Sequence, residues 1–141
     1  MAHGMDQMSM AGSIGFEIVP GSGLFLVHCE GMWTPDQARA HFARMEQSVR
    51  TLRRMRRPVR VLVDLRAAHV QTPETSAVMA QGSDRVHRAA DRVAFVGANA
   101  LHALQVKRDV TEPQIAVFQD MDEARAWVEQ PDDGEGKPGQ A

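Results

Sequence analysis

Asp64, Arg66 and His69 form the densest group of chemically capable side chains in the sequence, around Asp64-Leu65-Arg66. Asp64 can hold a cation or a hydroxyl, Arg66 an anion, and His69 can exchange protons near neutral pH. Asp64 and His69 can also act as acid and base if both reach one cavity. The plainer reading of Asp64 is that it pairs with an arginine or caps a nearby turn. Trp33 stands just before a helix start, where it either lines a pocket or staples the helix entry against Ala38 or a neighbouring strand. Thr72, followed by Pro73 and Glu74, has the chemistry of a helix N-cap.

Arginines cluster at a different place. Arg50, Arg53, Arg54, Arg56, Arg57 and Arg60 fall within eleven residues that contain no acid. At a helix C-terminus they complement the dipole and cap open carbonyls. Six exceed that need, so Arg50, Arg53, Arg54, Arg56 and Arg57 are candidates for contact with an anionic lipid surface or an acidic partner, unless they are simply a solvated helix end. Acids gather near the other end: Asp120, Asp122, Glu123, Glu129, Asp132, Asp133 and Glu135. Pairing of the two patches would build a homodimer that salt weakens.

Other chemistries lack their residues. The histidines (His3, His28, His41, His69, His87 and His102) show no His-x-x-x-His or His-Glu-x-x-His spacing, so no metal site is signalled. His41 and His87 read as surface or boundary residues of helices. No Gly-x-Ser-x-Gly elbow, Gly-x-Gly-x-x-Gly turn or phosphate-cradling lysine loop is present. Catalytic residues and cofactors are therefore expected to be none. The single cysteine, Cys29, falls on a core strand, reads as a buried inert thiol, and excludes an internal disulfide.

The elements that must position these groups follow from pattern. GFEIVP and LFLVHCEG, joined by Pro20 to Gly23, read as a hairpin of two strands. The second is apolar on both faces, so it belongs inside a sheet. Thr34-Pro35-Asp36-Gln37 is a helix start with a capping box, and Ala38, Phe42, Met45, Val49 and Leu52 form one apolar stripe up to about Arg54. Val59 to Leu65 reads as a strand buried on both faces. The helix opened by Thr72 carries Val78, Gly82, Val86 and Ala89 or Ala90 inward. Arg92 to Gly97 is a strand, Asn99 to Asp109 a short helix, Gln114 to Phe118 a strand, and Asp120 to Gln130 an amphipathic helix. The order β-β-α-β-α-β-α-β-α predicts a single α/β domain over residues 14–130, with a mixed, mostly parallel sheet of about five strands and about four helices. Residues 1–13 read as a flexible leader and 131–141 as a disordered acidic tail.

The chain has 141 residues, 43% hydrophobic and 24% charged, which is the composition of one globular domain. A net charge of −2, few aromatic residues and no tyrosine argue against nucleic acid as a partner. No apolar run approaches the ~20 residues of a transmembrane helix, and a lone thiol suits a reducing cytoplasm.

The strings EGMWTPDQ, PVRVLVDLR, the TPE helix start, RVAFVG and VFQDMDEARAWV, in this order between Gly15 and Gln130, resemble the SpoIIAA-like family of small bacterial proteins related to STAS domains. The resemblance implies a single α/β domain with helices on a mixed sheet. Comparison of some relatives with CRAL-TRIO lipid-binding domains implies an apolar pocket or membrane contact, and no reaction. STAS anti-sigma-factor antagonists carry a phosphorylatable serine in an Asp-Ser-Ser-Gly context. The matching stretch here, HVQTPETSAVM, lacks that context but offers Thr72, Thr75 and Ser76 as phosphoacceptors, where helix N–H groups would stabilise a phosphate.

Three functions are therefore expected in order. The first is a non-enzymatic binding or regulatory module whose pocket uses Trp33, Asp64, Arg66, His69 and Thr72 to hold a lipid or small amphipathic molecule, or which meets an anionic membrane. The second is a partner-switching regulator controlled by phosphate. The third is an acid–base enzyme using Asp64 and His69.

Overall fold

The computed structural model describes residues 12–97 and 114–131. The leader (apart from Gly12 and Ser13), the short helix expected at 99–109 and nearly all of the expected tail lie outside the described residues. Strand β1 (Ser13–Ile18) turns back through Pro20 to Gly23 into β2 (Phe25–Gly31), an antiparallel pair closed by Val19 N–H donating to Leu24 O at 2.8 Å. The chain continues through α1 (Pro35–Arg54), β3 (Arg60–Ala68), α2 (Pro73–Val86), β4 (Arg92–Val96), β5 (Gln114–Phe118) and α3 (Met121–Val128). The five strands lie in sequence order, and every pair after the first is parallel. This is the expected mixed α/β sheet, with three helices among the described residues.

Local chemistry sets the helix bounds. The Thr34 hydroxyl accepts Gln37 N–H at 3.1 Å while Gln37 Oε1 accepts Thr34 N–H at 2.8 Å, closing the capping box. At the other end of α1, Arg57 N–H donates to Leu52 O (2.9 Å) and Arg56 N–H to Arg53 O (3.0 Å), the double bond of a Schellman motif. Arg56 occupies its left-handed position with φ 59°, where glycine is the usual residue. Helix α2 ends at Val86, short of Ala89 and Ala90, which are exposed in the turn before β4 rather than part of the inward stripe.

That turn is held by a buried charge. Asp91, 2% exposed, accepts from Arg53 at 2.8 and 3.1 Å and from Arg88 N–H at 3.0 Å. Arg53 also donates to Val86 O at 2.9 Å, so one guanidinium ties together the ends of α1 and α2 and the start of β4. Burial alone would raise the Asp91 carboxyl. The neighbouring His87 and the hydrogen bonds from Arg53 and Arg88 outweigh it and hold the group below its ordinary 3.8.

Helices α1 and α2 share one face of the sheet, and α3 covers the other. Ala124 and Val128 of α3 pack on Leu24, Leu62, Ala94 and Val96. Its terminal carbonyls are closed by Arg92, which donates to the carbonyls of Trp127 (3.3 Å), Gln130 (2.8 Å) and Pro131 (3.0 Å). On the first face the stripe Ala38, Phe42, Met45, Val49 and Leu52 sits on Val27, Val61 and Val93. The closest backbone approach of helix α2 is to α1, and it comes no nearer than side-chain contact to the sheet. Gly82 allows this approach, since a Cβ there would stand 2.4 Å from the Phe42 ring.

Strand β3 runs on to Ala68, past the expected end at Leu65. His28 pairs with Asp64 and Glu30 with Ala67, so β3 carries one extra residue, a bulge. Gly97 (φ 126°) closes over this bulge, its Cβ position 2.9 Å from Arg66 N. The bulge brings Ala68 into the same buried layer as Leu65.

Two substitutions test these devices. Arg56→Gly should raise unfolding stability by about 1 kcal/mol by relieving the left-handed strain, read as an upward shift in denaturation midpoint. Asp91→Asn should lower stability by about 3–5 kcal/mol, because it leaves Arg53 buried without its counter-charge. The lowered Asp91 value means that its contribution is full above the unfolded value near 3.8 and disappears as pH falls below it. Wild type should therefore lose stability in that acid range more steeply than Asp91→Asn.

Candidate functional site

Where α2 stands off the sheet, a cavity of about 140 Å³ remains. Its floor is Val61 and Val63 of β3 with Val93 and Phe95 of β4, and its roof is Phe42 and Met45 of α1 with Met79 and Ala80 of α2. Trp33 closes one side. The lining residues His69 and Val70 are exposed and mark a way in at the C-terminal end of β3, the edge where open α/β sheets favour ligands. Among the described residues no lysine, arginine, aspartate or glutamate lines the cavity.

The walls are held by hydrogen bonds between distant segments. Gln71 accepts Trp33 N–H at 2.9 Å and donates from Nε2 to Gly31 O (2.9 Å) and His69 O (2.6 Å). It thus joins the β2–α1 and β3–α2 connections. Thr75 donates its hydroxyl to Trp33 O at 3.3 Å, and Trp33 Nε1–H points to Met79 Sδ at 3.4 Å. Trp33 is 3% exposed, held from both ends, and faces the cavity.

The expected site residues separate. Trp33, His69 and Ser76 line the cavity; Asp64, Arg66 and Thr72 do not. Alternation along β3 puts Asp64 with Leu62 on the α3 side, opposite Val61 and Val63. There Asp64 makes a two-point ion pair with Arg66, 2.9 Å at each contact, and accepts Arg66 N–H at 3.1 Å. The Arg66 side-chain hydrogen bond is the main cause holding the Asp64 carboxyl below its ordinary value, against the opposing effect of burial. Asp64 and His69 therefore do not converge on one cavity, and the acid–base pair read from the sequence does not form. Thr72 caps α2, its hydroxyl accepting Thr75 N–H at 3.1 Å. Thr75 is fully buried, its hydroxyl donating to Trp33 O.

The arginine group also divides. Arg53 is committed to buried Asp91 and cannot meet a surface. Arg50 pairs with Glu46 at 3.1 Å, and Arg54, Arg56 and Arg57 are exposed. These side chains lie before the start of β3, whereas His69 and Val70 follow its end. The nine-residue strand between them spans roughly 30 Å at ~3.3 Å per residue. A membrane bound through the arginines would meet the end of the molecule away from the cavity entrance.

Two histidines are the main surprise. His41 is 1% exposed and His87 is 9% exposed, so neither is a surface residue. His41 lies edge-on to Phe16 and Phe42, lines the cavity, and has no hydrogen-bond partner for Nδ1. Burial, helped by the nearby Arg44 and His87, pushes its pKa down to about 4. His87 also lines the cavity; its Nδ1 stands 3.4 Å from the Asp91 carboxylate and, like that of His41, makes no hydrogen bond. Cys29 is buried, and desolvation followed by the Asp64 charge pushes its thiol up to about 12, so it stays protonated. Among the described residues no cluster of histidine, cysteine and carboxylates could hold a metal, and no helix is long and apolar enough to cross a membrane.

A five-stranded mixed sheet with two helices over one face, one over the other, and a cavity under the paired helices defines a small α/β domain. The family model described as SpoIIAA-like matches residues 24–129, and the chain belongs to that family. A solved structure with the same fold is an uncharacterized protein of the DUF3478 family from Shewanella loihica PV-4. It is 18% identical, with a TM-score of 0.60 over 84% of this chain and 94% of that one. That likeness concerns the fold alone. No curated protein matches the chain.

The lowered His41 value predicts a pH dependence with a definite sign. The unfolded chain takes up a proton at His41 below 6.5, while the folded chain resists until about 4. Stability from this residue is thus full above 6.5 and declines as pH falls through that window, by on the order of 3 kcal/mol. Denaturation measured between these limits should show the slope in wild type and lose most of it in His41→Phe; an unchanged slope would show that His41 is not buried in the neutral form.

Proposed function

We propose that the protein is a non-enzymatic binding module that holds one small apolar or amphipathic molecule between the sheet and the pair α1 and α2. The observation that carries this reading is the apolar cavity itself. It is bounded by Trp33, Phe42, Met79 and Phe95 and reached past His69 and Val70. Folding ordinarily fills such space to crystal-like density, so a void of this size is costly unless something uses it. About 140 Å³ is close to the ~150 Å³ of a dry cavity that accepts benzene or xenon. That size narrows the lipid reading to a small molecule, or to the end of a longer chain. The lone reduced thiol fits a cytoplasmic setting.

A phosphate-controlled partner switch has less to rest on. Of its three hydroxyls, Thr75 is buried, Thr72 is engaged as a cap, and Ser76 is a half-buried part of the cavity wall. Contact with an anionic surface or a second copy would use Arg50, Arg54, Arg56 and Arg57, away from the cavity entrance.

The test is native mass spectrometry of protein purified from its own host, paired with the variant Ala80→Phe, whose added ring would fill the cavity. A bound small molecule in wild type that is missing from Ala80→Phe is the expected result. Wild type free of any adduct in repeated preparations, with no rise in melting temperature under saturating toluene, would overturn the proposal.

A further inference from the structure

Arg54, Arg56 and Arg57, at the end of α1, are exposed, and among the described residues no carboxylate pairs with any of them. The acids of the neighbouring elements are already taken. Glu46 holds Arg50 at 3.1 Å and Arg85 at 3.6 Å, Asp91 holds Arg53, and Glu129 holds Arg125 at 3.4 Å. The chain itself leads back toward this end. Arg60 opens β3 and Arg92 opens β4, side by side in register. Both donate to Gln130 O, and Arg92 also donates to Pro131 O at 3.0 Å, so the backbone that follows α3 is held at the start of these strands. The Arg57 guanidinium lies on this side too. A Cβ on Gly23 would stand 3.3 Å from it, and the next residue, Leu24, packs with Val128 of α3. Shortly after Pro131 come Asp132, Asp133 and Glu135.

We propose that Asp132, Asp133 and Glu135 fold back within their own chain onto Arg54, Arg56 and Arg57. The basic end of the molecule is then neutralised from within, and closed to an anionic surface and to the acids of a second copy. Reach allows it. Arg57 stands three residues before Arg60, at most about 11 Å, and Glu135 four residues after Pro131, at most about 14 Å. Charge matches, three acids for three arginines, and guanidinium forks suit carboxylates. Tethering decides between the chain's own acids and those of another molecule. A linker of a few residues sets an effective concentration on the order of millimolar, against which a second copy at roughly micromolar concentration competes poorly. The acids at the other end are no rivals within the chain. Asp120, Asp122 and Glu123 sit at the start of α3, just past the C-terminal end of β5, whereas the arginines precede the N-terminal end of β3. The proposal stands apart from the cavity, whose entrance lies at the C-terminal end of β3.

A nitroxide label on Gly136→Cys, in the full chain labelled with 15N, tests this; Cys29 is buried and takes no label. The amide signals of Arg54, Met55 and Arg57 should lose most of their intensity relative to the reduced label at about 10 mM salt, where charges act over about 30 Å, and recover at about 1 M, where they act over about 3 Å. With Asp132→Asn, Asp133→Asn and Glu135→Gln combined, the same signals should stay nearly intact at low salt. Full signals in the unneutralised chain at low salt would overturn the proposal. So would quenching that survives both high salt and the combined variant, since nearness would then owe nothing to charge. Mixing 15N chain without label and labelled chain without 15N separates the occupants. Quenching there as deep as in the single sample would make a second copy the partner and overturn closure within the chain. Sedimentation of wild type with phosphatidylserine vesicles as complete as that of the combined variant would show the arginines open to an anionic surface, and would overturn it as well.

Discussion

The seating of α2 on α1 instead of on the sheet is the constraint from which the rest of the molecule's upper layer follows. Gly82 lets the helix backbone come down onto the Phe42 ring. At its first turn α2 is tied to Trp33 through Thr75, and at its last turn its carbonyl at Val86 is held by Arg53. Helix α2 is fastened at both ends and in the middle to α1 and its connections, and the sheet below it is left partly uncovered. The cavity is what remains between the helical roof and the sheet floor. A void in an ordinary core collapses in part when side chains relax into it; here the fastenings oppose that collapse.

The two faces of the sheet have divided the chemistry between them. Among the described residues, walls without charged side chains and the neutral His41 lie on the α1 and α2 side. The carboxylate of Asp64 with its arginine partner lies on the α3 side. On the first side the buried charge of Asp91 is sealed at the far end by Arg53, where it secures the helix termini. The chain belongs to the SpoIIAA-like family, and a binding or regulatory module is in keeping with that membership.

What could be read from the sequence was what neighbouring residues decide among themselves. Thr34 with Gln37, and Thr72 with Pro73, announce helix starts through contacts three residues apart, and both helices begin where these residues say. The apolar stripe of α1 and the doubly buried character of β3 are likewise local. His41 was legible too: it stands three residues after Ala38 and four before Met45, within the same buried stripe, but its polarity suggested the surface or a boundary. Asp64 shows the limit. Strand parity places it opposite Val63, yet His69 lies beyond a bulge that only the pairing with β2 reveals. The partnerships of Gln71 with Trp33 and of Arg53 with Asp91 span 38 residues each, and no local pattern encodes them.

The central claim, that α2 stands off the sheet and leaves an accessible apolar space, is tested most directly by diffraction from a crystal held under xenon pressure. The account predicts a strong xenon peak between Phe42 and Met79 on one side and Val63 and Phe95 on the other. A filled interior with no xenon there, and α2 packed down on β3 and β4, would contradict it.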